Sequence, residues 1–236
     1  MSKESRANHA IRAPGRIVFI AVLAACAALG GCGYSTDDNS SKKVNGSVHV
    51  AAGTPSGAAE TVNGDVRLDD NATVTTANTV NGSVHLGAHA AAQSVETVNG
   101  SINLDAGAKV SGGAETVNGS MTLRDGSEVG GALTNVNGSI KLDAAHVGGG
   151  IKTVNGDILI NANSHVEGGI VVEQEHGFFI HFGKSSLPRI VIGPGAVVQG
   201  EMRFHREVKL YVSDKATIGA VSGATPIAFS GDEPPT

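Results

Sequence analysis

The chain has 236 residues, of which 33 are glycine and 3% aromatic, with no tryptophan at all. Its 40% hydrophobic content is therefore small and branched, which excludes an interior organised by large aromatic clusters and points to a thin, repetitive core of Val, Ile, Leu and Ala. A net charge of −5, with 17% charged residues, leaves no basic footprint for nucleic acid and no polybasic membrane patch.

Lys3, Arg6, Arg12 and Arg16 precede an apolar run over residues 17–29. That run is too short to span a bilayer comfortably, and the pattern reads as an export signal over residues 1–31. The run ends in Leu29-Gly30-Gly31-Cys32, which resembles the lipobox of bacterial lipoproteins. The resemblance implies that Cys32 is acylated, becomes the mature N-terminus and holds the chain to a membrane through its lipid. Leu23-Ala24-Ala25-Cys26 also fits the pattern, but it would shorten the apolar core and leave an Ala-Ala-Leu tail on the mature chain. Cys32 is the preferred site, with an ordinary secretory signal as the alternative. Gly33, where Asp does not follow the cysteine, resembles the pattern sorted to the outer membrane in a Gram-negative host and implies a domain facing the periplasm. Both cysteines lie in this segment, so neither a disulfide nor a thiolate metal site is expected to hold the folded part. Removal of residues 1–31 leaves 13 basic and 21 acidic residues, a net charge of −8. The polar stretch after Cys32, through Lys43, reads as a flexible tether.

From 44 to 160 the tripeptide Val-Asn-Gly recurs, with its Asn at 45, 63, 81, 99, 118, 137 and 155. Seven copies at a period of 18 or 19 residues mean one supersecondary unit stacked repeatedly. Most copies read Thr-Val-Asn-Gly-(Ser/Asp)-(Val/Ile/Met)-x-Leu, as in Thr79 to Leu86, and the apolar alternation predicts strands. Asn-Gly between alternating apolar residues is also a hairpin signal, so a β-meander competes. A meander needs a second fixed turn per repeat, whereas the midpoints vary freely, from Asp69-Asp70-Asn71 to Gly87-Ala88-His89. A membrane barrel is excluded by the absence of Phe, Tyr and Trp between 44 and 160, since such barrels carry aromatic girdles.

The favoured architecture is all-β, a parallel β-helix with one coil per repeat. Residues 62–79 divide into hexads opening at Val62, Leu68 and Val74, with Val66 and Ala72 at fifth places, giving roughly five inward apolar residues per coil. The Asn residues are expected to stack into an amide ladder at one corner, beside a Gly that tolerates positive φ. The Ser and Asp residues after that Gly, such as Ser83 and Asp65, read as solvated.

The pattern decays over 161–225. Val110, Val129, Val147 and Val166, each followed by glycines, carry the register past the last Asn-Gly. His176-Gly177 replaces Asn-Gly, and Ile190 to Arg206 and Glu207 to Thr225 read as closing coils. Residues 226–236 read as a disordered tail. About ten coils at ~4.8 Å give a rod on the order of 50 Å. The period, the Gly-Gly-Ile steps and the run from Ile190 to Gly200 resemble bactofilins and related polymer-forming or adhesin-like β-helical repeat proteins of bacteria. That resemblance implies end-to-end self-association of rods; typical bactofilins lack an export signal, and this chain departs from them there.

Among the nine histidines, His49 and His85 fall at equivalent outward positions two coils apart, with Arg67 between, too distant for one metal ion. His176 and His181 fall on opposite faces of one segment, and His205 is remote from both. No metal site, no cofactor, no small-molecule ligand and no catalytic residue is expected, and the chain reads as a non-enzyme; β-helical polysaccharide-acting enzymes are the remote alternative. Phe178-Phe179-Ile180-His181-Phe182 holds half of the six phenylalanines. Phe178, Phe179 and Phe182 are therefore the candidate partner surface, or else a cap packed on the coils. The whole reads as a lipid-anchored structural or interaction protein of the cell envelope, with an adhesin-like surface binder as the alternative.

Overall fold

A computed structural model of the protein describes residues 40–161, 163–174 and 187–235. The signal segment, Cys32 and the segment holding Phe178, Phe179 and Phe182 lie outside these residues. The described chain contains 26 strands and no helix. Every strand pair is parallel, and partners lie one coil apart, as in Val66↔Val84, Val84↔Ile102 and Ile102↔Met121. The chain is thus a parallel β-solenoid, and the antiparallel meander is ruled out.

Each coil has three faces. The first is a ten-stranded sheet running from Val48–Val50 through Val66–Leu68 to Ile227–Phe229. Ten strands at ~4.8 Å make a solenoid on the order of 45 Å long. The second and third faces begin as single nine-residue strands, Pro55–Asn63, Thr73–Asn81 and Ala91–Asn99. From Lys109–Val110 and Ala114–Asn118 onward they separate. The separation falls where Gly-Gly enters the sequence, because a Cβ there would strike the neighbouring coil's backbone: at Gly131 it would lie 2.7 Å from the Gly112 carbonyl carbon. As the sequence pattern requires, Val110, Val129, Val147 and Val166 stack in one buried column.

Three inward pairs fill each coil, as with Ala59/Thr61, Val66/Leu68 and Ala72/Val74, all nearly inaccessible. Five of the six are apolar, and the sixth corrects the hexad reading. Thr61 points inward and the adjoining Val62 lies outside, partly exposed. A threonine is tolerated there because its hydroxyl donates to the carbonyl of Gly46 at 2.9 Å, removing most of the cost of burying it.

Both ends of the solenoid extend past their expected limits. Ser41–Asn45 is a strand paired with the strand Pro55–Asn63, and it starts inside the stretch read as tether. Backbone pairing recruits it although Ser41 and Lys43 occupy inward positions. Ile227–Phe229 adds a strand within the supposed tail, using the apolar pair Ile227 and Phe229. The two closing coils sit where expected, with Met202↔Val221 and Val198↔Ile218 in register. Residues inserted after Val172 displace the next register step, so that Asp157 meets Arg189 across 32 residues rather than 18.

Candidate functional site

The repeat corner carries three stacked hydrogen-bond ladders. In the first, Nδ2 of Asn63 donates to Oδ1 of Asn45 at 3.0 Å, and the step repeats through Asn81, Asn99, Asn118, Asn137 and Asn155 at 2.9 to 3.3 Å. All the amides point one way along the axis. At the last rung Arg206 donates to the Asn155 side-chain oxygen and, at 3.1 Å, to the Val154 carbonyl, so a cation meets the acceptor end of the row.

The second ladder is the threonine column. Thr79, Thr97 and Thr116 each donate to a glycine carbonyl of the preceding coil at 2.8 to 3.0 Å. Asn135 replaces Thr in one copy and reaches both Gly119 and Gly138 carbonyls, at 3.0 and 3.1 Å. The Thr153 hydroxyl, one coil on, has no partner among the described residues.

The third ladder corrects the solvated reading of the residues after glycine. Asp65 accepts the Ser83 N–H at 2.8 Å, Ser83 accepts the Ser101 N–H at 3.2 Å and Ser101 accepts the Ser120 N–H at 3.3 Å. Asp157 likewise accepts the Arg189 N–H at 2.8 Å. These side chains supply backbone partners where the strands part at the corner. The corner glycines are also needed for a different reason than φ. Only Gly46, Gly64 and Gly138 among them have φ between +96° and +152°, whereas a Cβ at Gly82, Gly100, Gly119 or Gly156 would lie 1.9 to 2.0 Å from the preceding glycine's carbonyl oxygen.

The outer side of the first face carries ion pairs within coils and between adjacent ones. Asp69 meets His49 at 2.7 Å and Arg67 at 3.5 Å, and Asp105 meets His85 at 3.0 Å and Arg124 at 3.1 Å. His49 and His85 stand on either side of Arg67, as the spacing predicts. Asp143 meets Lys141 at 2.9 Å and accepts from Asn161. Burial pushes its carboxyl up, but the Asn161 amide and the Lys141 ammonium outweigh that and hold it below the usual range. Farther along, the row turns apolar, with Val191, Tyr211 and Phe229 buried beside Leu159. Arg189 lies 5.2 Å from the Tyr211 ring centroid.

On the third face Glu96 stacks between Asn78 and Glu115. Burial first, then the charges of Glu115 and Glu60, raise its pKa above the ordinary carboxylate value.

The second face presents a column that sequence spacing alone did not pair: Lys109, Glu128, His146 and His165, one per coil. Lys109 pairs with Glu128 at 3.1 Å. His146 lies 3.1 Å from Glu167 and 3.9 Å from Glu128, and its ring stands edge-on to that of His165 at 5.6 Å between centroids. His165 meets Gln199 at 2.9 Å. An open groove of about 610 Å³ adjoins this column, lined by Thr73, Gln93, Lys109, Ser111 and Glu128 among others. His205 stands exposed on another face, remote from this cluster.

The two ends of the rod differ. In the first coil Lys43 occupies the inward column of Thr61, Ser41 that of Ala59 and Ser56 that of Val74; the Lys43 ammonium donates to the Ser47 carbonyl at 2.7 Å. At the other end Ala216, Ile218, Val221 and Ala224 are only partly covered, Ala228 is exposed and Ile227 retains 45% of its accessible surface. Among the described residues no strand pairs with the outer edges of Thr217–Ile218, Val221–Ser222 or Ile227–Phe229, nor with those of Ser41–Asn45 and Val48–Val50 at the first coil, so the ends differ in their side chains rather than in open edges.

The chain matches no protein-family model, no curated protein and no solved structure.

Proposed function

We propose that the chain is a lipid-anchored, non-catalytic β-helical scaffold of the cell envelope, facing the periplasm from the outer membrane, that self-associates through the C-terminal end of its rod. The lipobox-like Leu29-Gly30-Gly31-Cys32 supports the anchor and the address. The carrying observation for self-association is the asymmetry of the ends. Open strand edges beside partly covered Ile218 and Val221 form a template for another copy. Lys43 at an inward position opposes stacking at the other end, because a joining coil would bury its charge. Contact of C-terminal end with C-terminal end is isologous and closes as a dimer, whereas a head-to-tail chain of rods needs both ends. The corner polar groups are engaged in holding coil to coil, which favours a mechanical role over a chemical one.

Sedimentation equilibrium of the mature chain in detergent tests this. A monomer–dimer equilibrium is expected, abolished by Ala228→Glu at the exposed C-terminal end and unchanged by Val44→Glu at the exposed N-terminal coil. A monomer at every concentration, or equal sensitivity to both substitutions, would overturn it. The alternative reading, a surface binding module, draws on the open groove beside Lys109 and Glu128. It expects a monomer that retains a soluble ligand.

A further inference from the structure

The Val-Asn-Gly repeat keeps its valine in all seven copies, from Val44 to Val154, whereas the inward place before it accepts Lys43, Thr61 or Asn135. Yet this valine faces out: it is partly exposed in six coils, and Val44 retains 57% of its accessible surface. Strand propensity alone does not require it, because other outward places hold Glu60, Asn78, Thr122 and Lys141. Parallel register pairs the residues on either side of each valine and so stacks the valines in one straight column of the third face.

We propose that this column is a lateral contact for a second copy of the chain, formed between rods standing parallel on one membrane; the proposal rests on the lipid anchor. A flat row of β-branched side chains at ~4.8 Å matches another row of the same repeat, and facing valines interlock as in a steric zipper. The flanking columns set the direction. On one side lie Glu60, Glu96 and Glu115. On the other lies the exposed Asn ladder, whose Nδ2 groups each give one N–H to the preceding coil and have a second to offer. A two-fold axis along the rods sets the carboxylates of each copy against the Asn N–H groups of its partner, coil for coil. An antiparallel pair instead brings Glu96 to Glu96 and Lys42 to Lys152, like charge on like.

The size of the contact says where it forms. Seven valines at ~4.8 Å, with flanks spanning three residues across the strand, give a patch of roughly 30 Å by 10 Å on each copy. The roughly 600 Å² buried in all is half the lower limit for a stable complex. Copies in detergent are therefore not held together by it. A shared membrane raises their effective concentration, and anchors at the same end align the rods in the parallel sense that the Glu and Asn columns require.

Single-cysteine variants of the mature acylated chain, reconstituted in phosphatidylethanolamine–phosphatidylglycerol vesicles and treated with a short bis-maleimide, test the contact. Acylated Cys32 leaves no competing thiol. Val98→Cys and Val62→Cys are each expected to give linked dimer at least ~10-fold faster than Thr122→Cys on the first face, and faster by a similar factor than the same variants in detergent. Val80→Thr/Val117→Thr keeps the β-branched shape and is expected to slow the linking of Val98→Cys severalfold. Linking no faster than at Thr122→Cys, or unaffected by that double substitution, would overturn the contact. Linking of Val98→Cys without Val62→Cys would overturn its parallel form, because Val62 faces Val136 in an antiparallel pair. Intact mass and flotation with the vesicles report the anchor separately. A chain that floats but does not link overturns the lateral contact alone, whereas one that is not acylated overturns the anchor and the contact with it.

Discussion

Gly100→Ala tests the close stacking of the corner glycines. The added Cβ would lie 1.9 Å from the Gly82 carbonyl oxygen and 2.4 Å from its carbon, against an ordinary contact of ~3.5 Å. Relief therefore requires these two coils to part by ~1.5 Å at the corner. Five hydrogen bonds cross that gap. Gly82 N–H donates to the Asn99 carbonyl at 3.1 Å, Val84 N–H to the Ser101 carbonyl at 2.9 Å, Ser101 N–H to the Ser83 hydroxyl at 3.2 Å, Asn99 to Asn81 at 3.0 Å and Thr97 to the Gly82 carbonyl at 2.8 Å. Lengthened by that amount, none remains a hydrogen bond. At ~1 kcal/mol each the loss is about 5 kcal/mol. Gly126→Ala is the matched control: its φ is +67° and its nearest neighbour atom lies 3.9 Å away, so only the left-handed backbone cost of ~1–2 kcal/mol applies. Urea unfolding followed by far-ultraviolet circular dichroism gives both values. A Gly100→Ala cost no greater than that of Gly126→Ala would contradict close stacking at the corner.

Thr97→Val, which removes a satisfied buried hydroxyl and leaves the Gly82 carbonyl short of a partner, is expected to cost ~1–2 kcal/mol; Thr153→Val, at a hydroxyl without a partner, is expected to be neutral or stabilising in the same unfolding assay. Glu96 has a raised folded pKa, so its ionisation opposes folding above that value and the penalty fades as pH falls through it. Glu96→Gln should therefore raise the melting temperature at pH 7 and leave it nearly unchanged at pH 4. Asp143 has the opposite sign, its folded pKa being lowered. It contributes stability above its unfolded value that is lost as pH falls through the folded one, so Asp143→Asn should lower the melting temperature at pH 7 and converge with the unaltered chain in acid.

Much of the fold was legible because a solenoid writes its register into the chain. The period placed the Asn rungs, and the alternation around Val66, Leu68, Ala72 and Val74 named their inward places. The valines before Gly-Gly kept the phase where Asn-Gly lapses. The exceptions share a cause. Val62 opens a hexad in the sequence, yet Thr61 is the buried residue, because the carbonyl that makes a buried threonine acceptable belongs to Gly46, a coil away. Ser101 and Asp65 read as solvated for the same reason, since their partners are N–H groups 18 or 19 residues on. The corner glycines answer to the backbone stacked beside them, which φ preference does not express. His146 and His165 could have been paired by aligning the residue before each valine of the Gly-Gly column, where Lys109, Glu128, His146 and His165 follow one another. The separation of 19 residues hides a contact that register makes immediate.

Electron microscopy of the mature chain in detergent, with rod lengths measured across a range of concentrations, tests the scaffold account most directly. Ten strands at ~4.8 Å give a single rod of ~45 Å. Rods near twice this length are expected to accumulate with concentration, and Ala228→Glu to return them to single length. Single rods at every concentration would contradict it, as would filaments of unlimited length.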